Sequence, residues 1–221
     1  MPSEVDICNL ALGYLGDEAT VASINPPDGS AQAAHCARFY AMARDTMQEL
    51  YAWGICTRRA GLSLLAVSAP SQWAYAYAAP PNAVNILGVY AATAMDDVTA
   101  AVPGAPWGAI NAGEGIYTPQ AFQTESLADG TDVIYTNVAD AVIHYTVINT
   151  DASKFSPLFV EALAWLLASK LAGPLLKGNV GAEAAKRCMD VFNIWVAKAA
   201  GSDANDQRMT PAHSTPWLVG R

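Results

Sequence analysis

The run SPLFVEALAWLLASKLAG, from Ser156 to Gly173, constrains the fold more than any other stretch of the chain. Ser156-Pro157 has the form of a helix start, with a hydroxyl cap followed by proline at the first helical position, where a missing N–H costs nothing. From Leu158 onward the residues are apolar nearly all the way round, interrupted by Glu161 and Lys170. A helix of that kind cannot lie on a surface and must be enclosed by other elements. Gly173-Pro174 reads as its end.

Partners for it are legible on both sides. Ser3 can cap a first helix, with Asp6 three residues on as a variant of the capping box, and Val5, Cys8, Leu12 and Leu15 share a face before Gly16. After a loop holding Pro26, Pro27 and Asp28-Gly29, Ser30 opens a second helix expected to reach about Trp53, with Gly54 behind it. That helix would be roughly 35 Å long and the longest rigid element of the protein. Its expected apolar face is Ala33, Ala37, Tyr40, Met47, Leu50 and Tyr51. Arg44 and Asp45 are adjacent and are expected to diverge, whereas Asp45 and Glu49, four apart and both acidic, read as a solvated face rather than an acid-base pair. A last helix starts near Gly181 and presents Ala184, Cys188, Val191, Trp195 and Ala199 on one face before Gly201.

After Gly61 the helical period gives way to short runs, LSLL, WAYAYA, VNILGVY, VIYT and AVIHYTVI, separated by Pro, Gly, Asn and Asp. That pattern predicts an antiparallel β lobe, with 91–118 as long loops. The expected fold is therefore α+β: a four-helix-type bundle with an antiparallel β insertion between helices 2 and 3 and an extended C-terminal tail. The boundaries read as 1–60 for a helical hairpin, 61–152 for the β insertion, 153–201 for the second helical half and 202–221 for the tail. At 221 residues, 52% of them hydrophobic, the chain can bury one good core or two smaller lobes.

Charge is distributed unevenly along this plan. From Ala60 to Ser153 there is no Lys or Arg, yet there are eight acids, Asp96, Asp97, Glu114, Glu125, Asp129, Asp132, Asp140 and Asp151. The remaining residues hold twelve acids and twelve bases, so the formal net charge of −8 sits in the middle of the chain. Such a segment cannot grip a phosphate backbone, because that grip rests on Lys and Arg. Two readings stay open on composition alone: an acidic lobe kept soluble by its charge, or a surface that lets a polyanion pass without sticking.

Several classes are disfavoured. The charge-free stretch from Ala60 to Met95 is broken by Pro70, Pro80 and Pro81 and does not make a spanning helix. MPSEVDICNL has no basic n-region, so no secretory signal is expected and the chain is read as cytoplasmic. Cys8, Cys36, Cys56 and Cys188 show no metal or disulfide spacing and are expected to be free, mostly buried thiols. His35, His144 and His213 are isolated, and the zinc-protease, serine-hydrolase, P-loop and dinucleotide patterns are missing from the sequence. No catalytic, metal or cofactor site is expected. His35 and Cys36 are neighbours on a helix and make a poor nucleophile-base pair, and His144 in a strand-like run reads as structural.

The tail, GSDANDQRMTPAHSTPWLVGR, is polar and proline-bearing until Trp217-Leu218-Val219. An apolar anchor after so long a linker is expected to dock, on its own domain or, more readily, on a neighbour.

Three segments in order, DGSAQAAHCARFYAMARDTMQELYAWGICTRRAGL, then WAYAYAAPPNAVNILGVY, then VIYTNVADAVIHYTVINTDASKFSPLFVEALAWLLASKLAGPLL, make the chain resemble the tail tubular protein A family of short-tailed bacteriophages. The features shared are the ARD helix ending in an aromatic turn with an R-A-x-L exit, the Y-x-Y-x-x-P-x-N strand entry, the F-x-P-x-F helix start and the W-L-x-x-R tip. The resemblance covers Glu4 to about Ala200 and the tip; Met47 and Gly54 depart from the pattern. It implies a structural virion protein rather than an enzyme, assembled in the host cytoplasm into the neck of the virion. There it would be a head-to-tail adaptor, a ring of about twelve copies with heterologous contacts between subunits, with the portal protein on one side and the tail nozzle protein on the other. DNA would pass through the ring without specific binding. On this resemblance Asp96, Asp97, Glu125, Asp129 and Asp132 are candidate channel-facing acids, and Arg58, Arg59, Trp217, Leu218 and Arg221 are candidates for partner docking. The competing class is a virion-associated hydrolase using carboxylates such as Asp129 and Asp132.

Overall fold

The computed structural model describes residues 2–18, 20–92 and 119–206. Among the described residues the protein is α+β, with four α-helices and two antiparallel sheets. The chain divides into two compact units: a helical unit built from residues up to Cys56 and again from Ile148, and a β unit that begins at Thr57 and ends at Val147. The β unit thus takes in Arg58 and Arg59, which lie before the expected boundary at residue 60.

In the helical unit, α1 (Glu4–Tyr14) begins with the expected capping box: Ser3 Oγ accepts the Asp6 N–H at 3.1 Å, and the Asp6 carboxylate accepts the Ser3 N–H at 2.9 Å. It stops where Gly16 takes a left-handed φ of 78°. Helix α2 (Ala31–Glu49) starts at Ser30 as expected, but ends four residues short of Trp53. The indole is the reason. Trp53 folds back into the core, 2% exposed, and its Nε1–H donates to the Met47 carbonyl at 2.8 Å, so a side chain takes over an acceptor that the helix end leaves open. Leu50, expected on the apolar face, caps the helix and is 57% exposed.

Helix α3 (Pro157–Leu176) packs against α1, α2 and α4 (Gly178–Asn205), which is what its all-round apolar surface required. Leu163, Leu167 and Leu171 are fully buried, each contributing roughly 1.5–3 kcal/mol by leaving water. The helix is long and apolar enough to cross a membrane by composition, but 56% of that window is buried inside the unit, as in a core helix.

Two expected helix ends move. Helix α3 does not stop at Gly173-Pro174 but carries Pro174 inside its last turn, and the chain reverses at Lys177 and Gly178, both with positive φ. Helix α4 begins at Gly178 rather than Gly181 and continues through Gly201 to Asn205, so that α4, with 28 residues, is longer than α2 with 19. Gly181 has a different task. A Cβ there would meet the Ala172 carbonyl oxygen at 2.9 Å, so the bare Cα lets the two helices turn tightly on each other. The last turn of α4 is held by Asp203, whose carboxylate accepts the Gly54 N–H through both oxygens, at 3.0 and 3.2 Å. Burial pushes the Asp203 carboxyl up from its ordinary value.

Side-chain amides act as surrogate backbone in two places. Asn9 on α1 pairs with both the N–H and the C=O of Val21, at 2.8 and 3.0 Å. Gln48, 2% exposed, does the same for Asn149, accepting its N–H at 2.7 Å and donating to its C=O at 2.8 Å. The expected apolar face of α2 did not contain Gln48. Nearby, the loop before α2 is organised by Asp28, which accepts from the Ser30 hydroxyl, the Ala22 N–H and the Ser30 N–H; the Ser30 hydroxyl bond leads in holding its carboxyl down to about 2.

The β unit contains a three-stranded sheet in the order β1-β7-β4 and a four-stranded sheet in the order β2-β3-β6-β5, antiparallel throughout. The strands are β1 (Thr57–Gly61), β2 (Ser63–Leu64), β3 (Tyr75–Ala78), β4 (Ile86–Tyr90), β5 (Phe122–Ser126), β6 (Asp132–Thr136) and β7 (Val142–Thr146). The sequence reading missed β1 and β5. Strand β1, TRRAG, lies before the first expected β run, which starts after Gly61; it is a strand because its partner is β7, far along the chain, with Thr57 opposite Thr146 and Gly61 opposite Val142. Alternation in β6 serves two cores: Ile134 packs with Tyr77, Val89 and Ile143, whereas Val133 packs with Ala76 and Tyr135 under Trp73 and Leu65.

Candidate functional site

The candidate channel-facing acids within the described residues, Glu125, Asp129 and Asp132, converge on one hairpin. Strands β5 and β6 are joined by a turn in which Gly130 has φ 84° and donates to the Leu127 carbonyl at 2.9 Å. Asp129 Oδ1 accepts the Thr131 N–H at 2.9 Å, and that bond, with the Thr131 hydroxyl, holds the Asp129 carboxyl below its ordinary value. A general acid needs a shift the other way, so the geometry gives Asp129 the work of fixing the turn. Asp132 stands opposite Ser126 in the register and accepts its hydroxyl proton, while Glu125 is the preceding residue of β5; all three carboxylates are exposed.

The hairpin also walls a groove. Antiparallel pairing puts Phe122, Thr124 and Ser126 on the same face of the sheet as Asp132. Between this face and the segment leading into β4 lies a cleft of about 490 Å³, lined on its apolar side by Pro80, Ala83, Val84, Ile86 and Phe122. Asp132 is the carboxylate on this face; Glu125 also borders the cleft, but it stands opposite Val133, and its carboxylate meets the Tyr135 hydroxyl on the other face. The volume is in the range that accepts a large side chain or a small ligand. Strand β5 is an outer strand of its sheet, the kind of position that offers backbone groups to an extended partner. The two carboxylates were named from sequence; the apolar half of the groove was not, since residues 80–86 and 122 meet only through the fold.

The arginine pair separates. Arg58 and Arg59 lie on β1, an outer strand, opposite Tyr145 and His144; both are exposed, and as consecutive strand residues they point to opposite faces. They are two positions rather than one basic patch. Asp96, Asp97, Trp217, Leu218 and Arg221 lie outside the described residues.

Other candidates take structural parts. Arg44 and Asp45 do not diverge: the long guanidinium side chain curls back and its Nε donates to Asp45 Oδ1 at 2.8 Å, with Glu4 at 3.9 Å on the other side. Glu161 accepts the Tyr14 hydroxyl at 2.6 Å and the Trp165 indole N–H at 3.2 Å, and the two rings stack at 3.9 Å. Cys8, Cys36, Cys56 and Cys188 are free and buried; contact with Cys36 and then burial push the Cys8 thiol up, away from a reactive thiolate. Among the described residues no group of three His, Cys, Asp or Glu side chains is placed to hold a metal ion.

No protein-family model matches the chain, and no curated protein matches it.

Proposed function

We propose that the protein is a structural virion component, a head-to-tail adaptor whose copies form a ring between the portal and the tail nozzle, through which DNA passes. In this reading the helices close as a four-helix-type bundle around α3 and supply the rigid wall of the ring. The β unit, with its acids and no base after Arg59 until Lys154, faces the passing DNA and repels it. The observation that carries the reading is this one-sided charge. Glu125, Asp129, Asp132 and Asp140 are all exposed, and between Thr57 and Val147 the Lys or Arg residues are Arg58 and Arg59 alone, both on β1. Like charge keeps a polyanion from adhering. The ordered resemblance of the three sequence segments to tail tubular proteins supports the same conclusion.

Electron microscopy of the purified full-length protein, alone and mixed with the portal ring encoded beside it, tests this. A ring stacked coaxially on the portal is the expected result. A persistent monomer that ignores the portal overturns the reading. With rings in hand, changing Asp96 and Asp97 to Asn should slow DNA release from assembled particles; unchanged release removes the channel-facing assignment of those acids.

A further inference from the structure

We propose that the groove of the β unit receives the 211–221 segment of a second copy of this chain, Trp217-Leu218-Val219 lying on the apolar wall and Arg221 beside Asp132. The proposal rests on the ring reading, since a closed ring needs two different complementary surfaces on every subunit, and it names both.

Three observations converge. The first is shape and polarity: the groove of about 490 Å³ has one apolar side, with Ile86 and Phe122, and charged lining residues of a single sign. The second is charge. Residues 207–221 contain Arg208, Arg221 and His213 and no acid, the inverse of a stretch with acids and no base. Opposed patches of that kind steer and register a contact. The third is reach. Trp217 lies eleven positions beyond Asp206, the last of the described residues, enough to span up to about 37 Å when extended, longer than the roughly 30 Å diameter of a small domain. A large aromatic anchor flanked by aliphatic residues is the type of side chain that dominates an interface, and the outer position of β5 allows the incoming backbone to run alongside a strand.

The test uses the full-length chain with Val84, a half-exposed wall of the groove, replaced by the photoreactive benzoylphenylalanine. Equal amounts of light and heavy-isotope protein are mixed, irradiated and digested with chymotrypsin, because trypsin has no site between Arg59 and Lys154. Expected are adducts joining the groove to residues 211–221, with light-heavy hybrids present. Adducts to 211–221 that are never hybrid overturn the assignment to a second copy. Adducts to any other segment, or to a different protein, overturn the occupant.

A charge swap provides a control against misfolding. Asp132→Lys should cut the adduct yield by about tenfold, the effect of losing roughly 1.4 kcal/mol, and Arg221→Glu in the same chain should restore it; no recovery counts against the pairing. The micrographs separate this idea from the adaptor reading. Rings without groove adducts leave the adaptor standing and end this proposal, whereas hybrid adducts without rings do the reverse.

Discussion

The helical unit and the β unit solve the same problem, burying enough apolar surface, in opposite ways. The first encloses one element, α3, and gathers Ile7, Met47, Trp53, Phe159, Leu163 and Phe192 into a single core. The second spreads its apolar side chains over two thin clusters on opposite faces of one sheet, the smaller consisting of Ala76, Val133 and Tyr135 with partly buried neighbours. A thick core tolerates a loss poorly because many neighbours share each side chain; a thin one loses less at any single position. The difference assigns the helical unit the task of stability and leaves the β unit's outer strands free to present charge and a groove.

This contrast can be broken most directly at its centre. Leu167→Ala, in the fully buried seam of α3, should lower the stability of the helical unit by about 3–4 kcal/mol, read as a shift in urea-induced loss of helical circular dichroism. A loss below about 1 kcal/mol would show that the seam collapses and that the core is not the single packed body described. Next comes Gln48→Leu, which keeps the volume but strands the Asn149 N–H and C=O. Two orphaned buried groups cost about 3 kcal/mol together, and the same urea titration reads it. In the β unit, Ile134→Ala, at an equally buried position, should cost about 2 kcal/mol, the low end of the range for such truncations, followed through tyrosine fluorescence; a cost equal to that at Leu167 would erase the contrast.

The smallest effect sharpens it by pH. The Asp28 carboxyl is lowered from 3.8 to about 2 in the folded protein, so its contribution is fully present above 3.8 and is lost as pH falls toward 2. Stability of the native chain and of Asp28→Asn should therefore differ above about pH 4 and converge by about pH 2, measured as thermal midpoints across that window. Asp203 works in the opposite sense: its raised value makes the folded state the better proton binder, so its contribution grows as pH falls and is lost as pH rises through the raised value.

What the sequence revealed follows from how local each signal is. The cap of α1 was readable because Ser3 and Asp6 interact within one turn, and the enclosure of α3 because an all-apolar helix leaves no alternative. The end of α2 was not, since it depends on an indole returning to the Met47 carbonyl. Gly181 looked like a helix start, when its value lies in the near approach of the Ala172 carbonyl. Strand β5, FQTES, lacked an apolar rhythm because four of its five residues are exposed. The candidate site divides in the same way. Asp132 is conspicuous as an acid in a base-free region, but the wall that turns its face into a groove belongs to residues about forty positions away and carries no marker of its own.

The pairing of Thr57 with Thr146 has a further consequence for how such a chain can change over generations. Opposite residues of an antiparallel ladder stand about 5 Å apart, so the β unit leaves and re-enters the helical unit through one narrow doorway. Whatever hangs from that doorway can be lengthened, trimmed or exchanged for another antiparallel module, and the helices need only find two adjacent strand ends. Such an exchange asks one thing of the new module, that its first and last strands stand side by side.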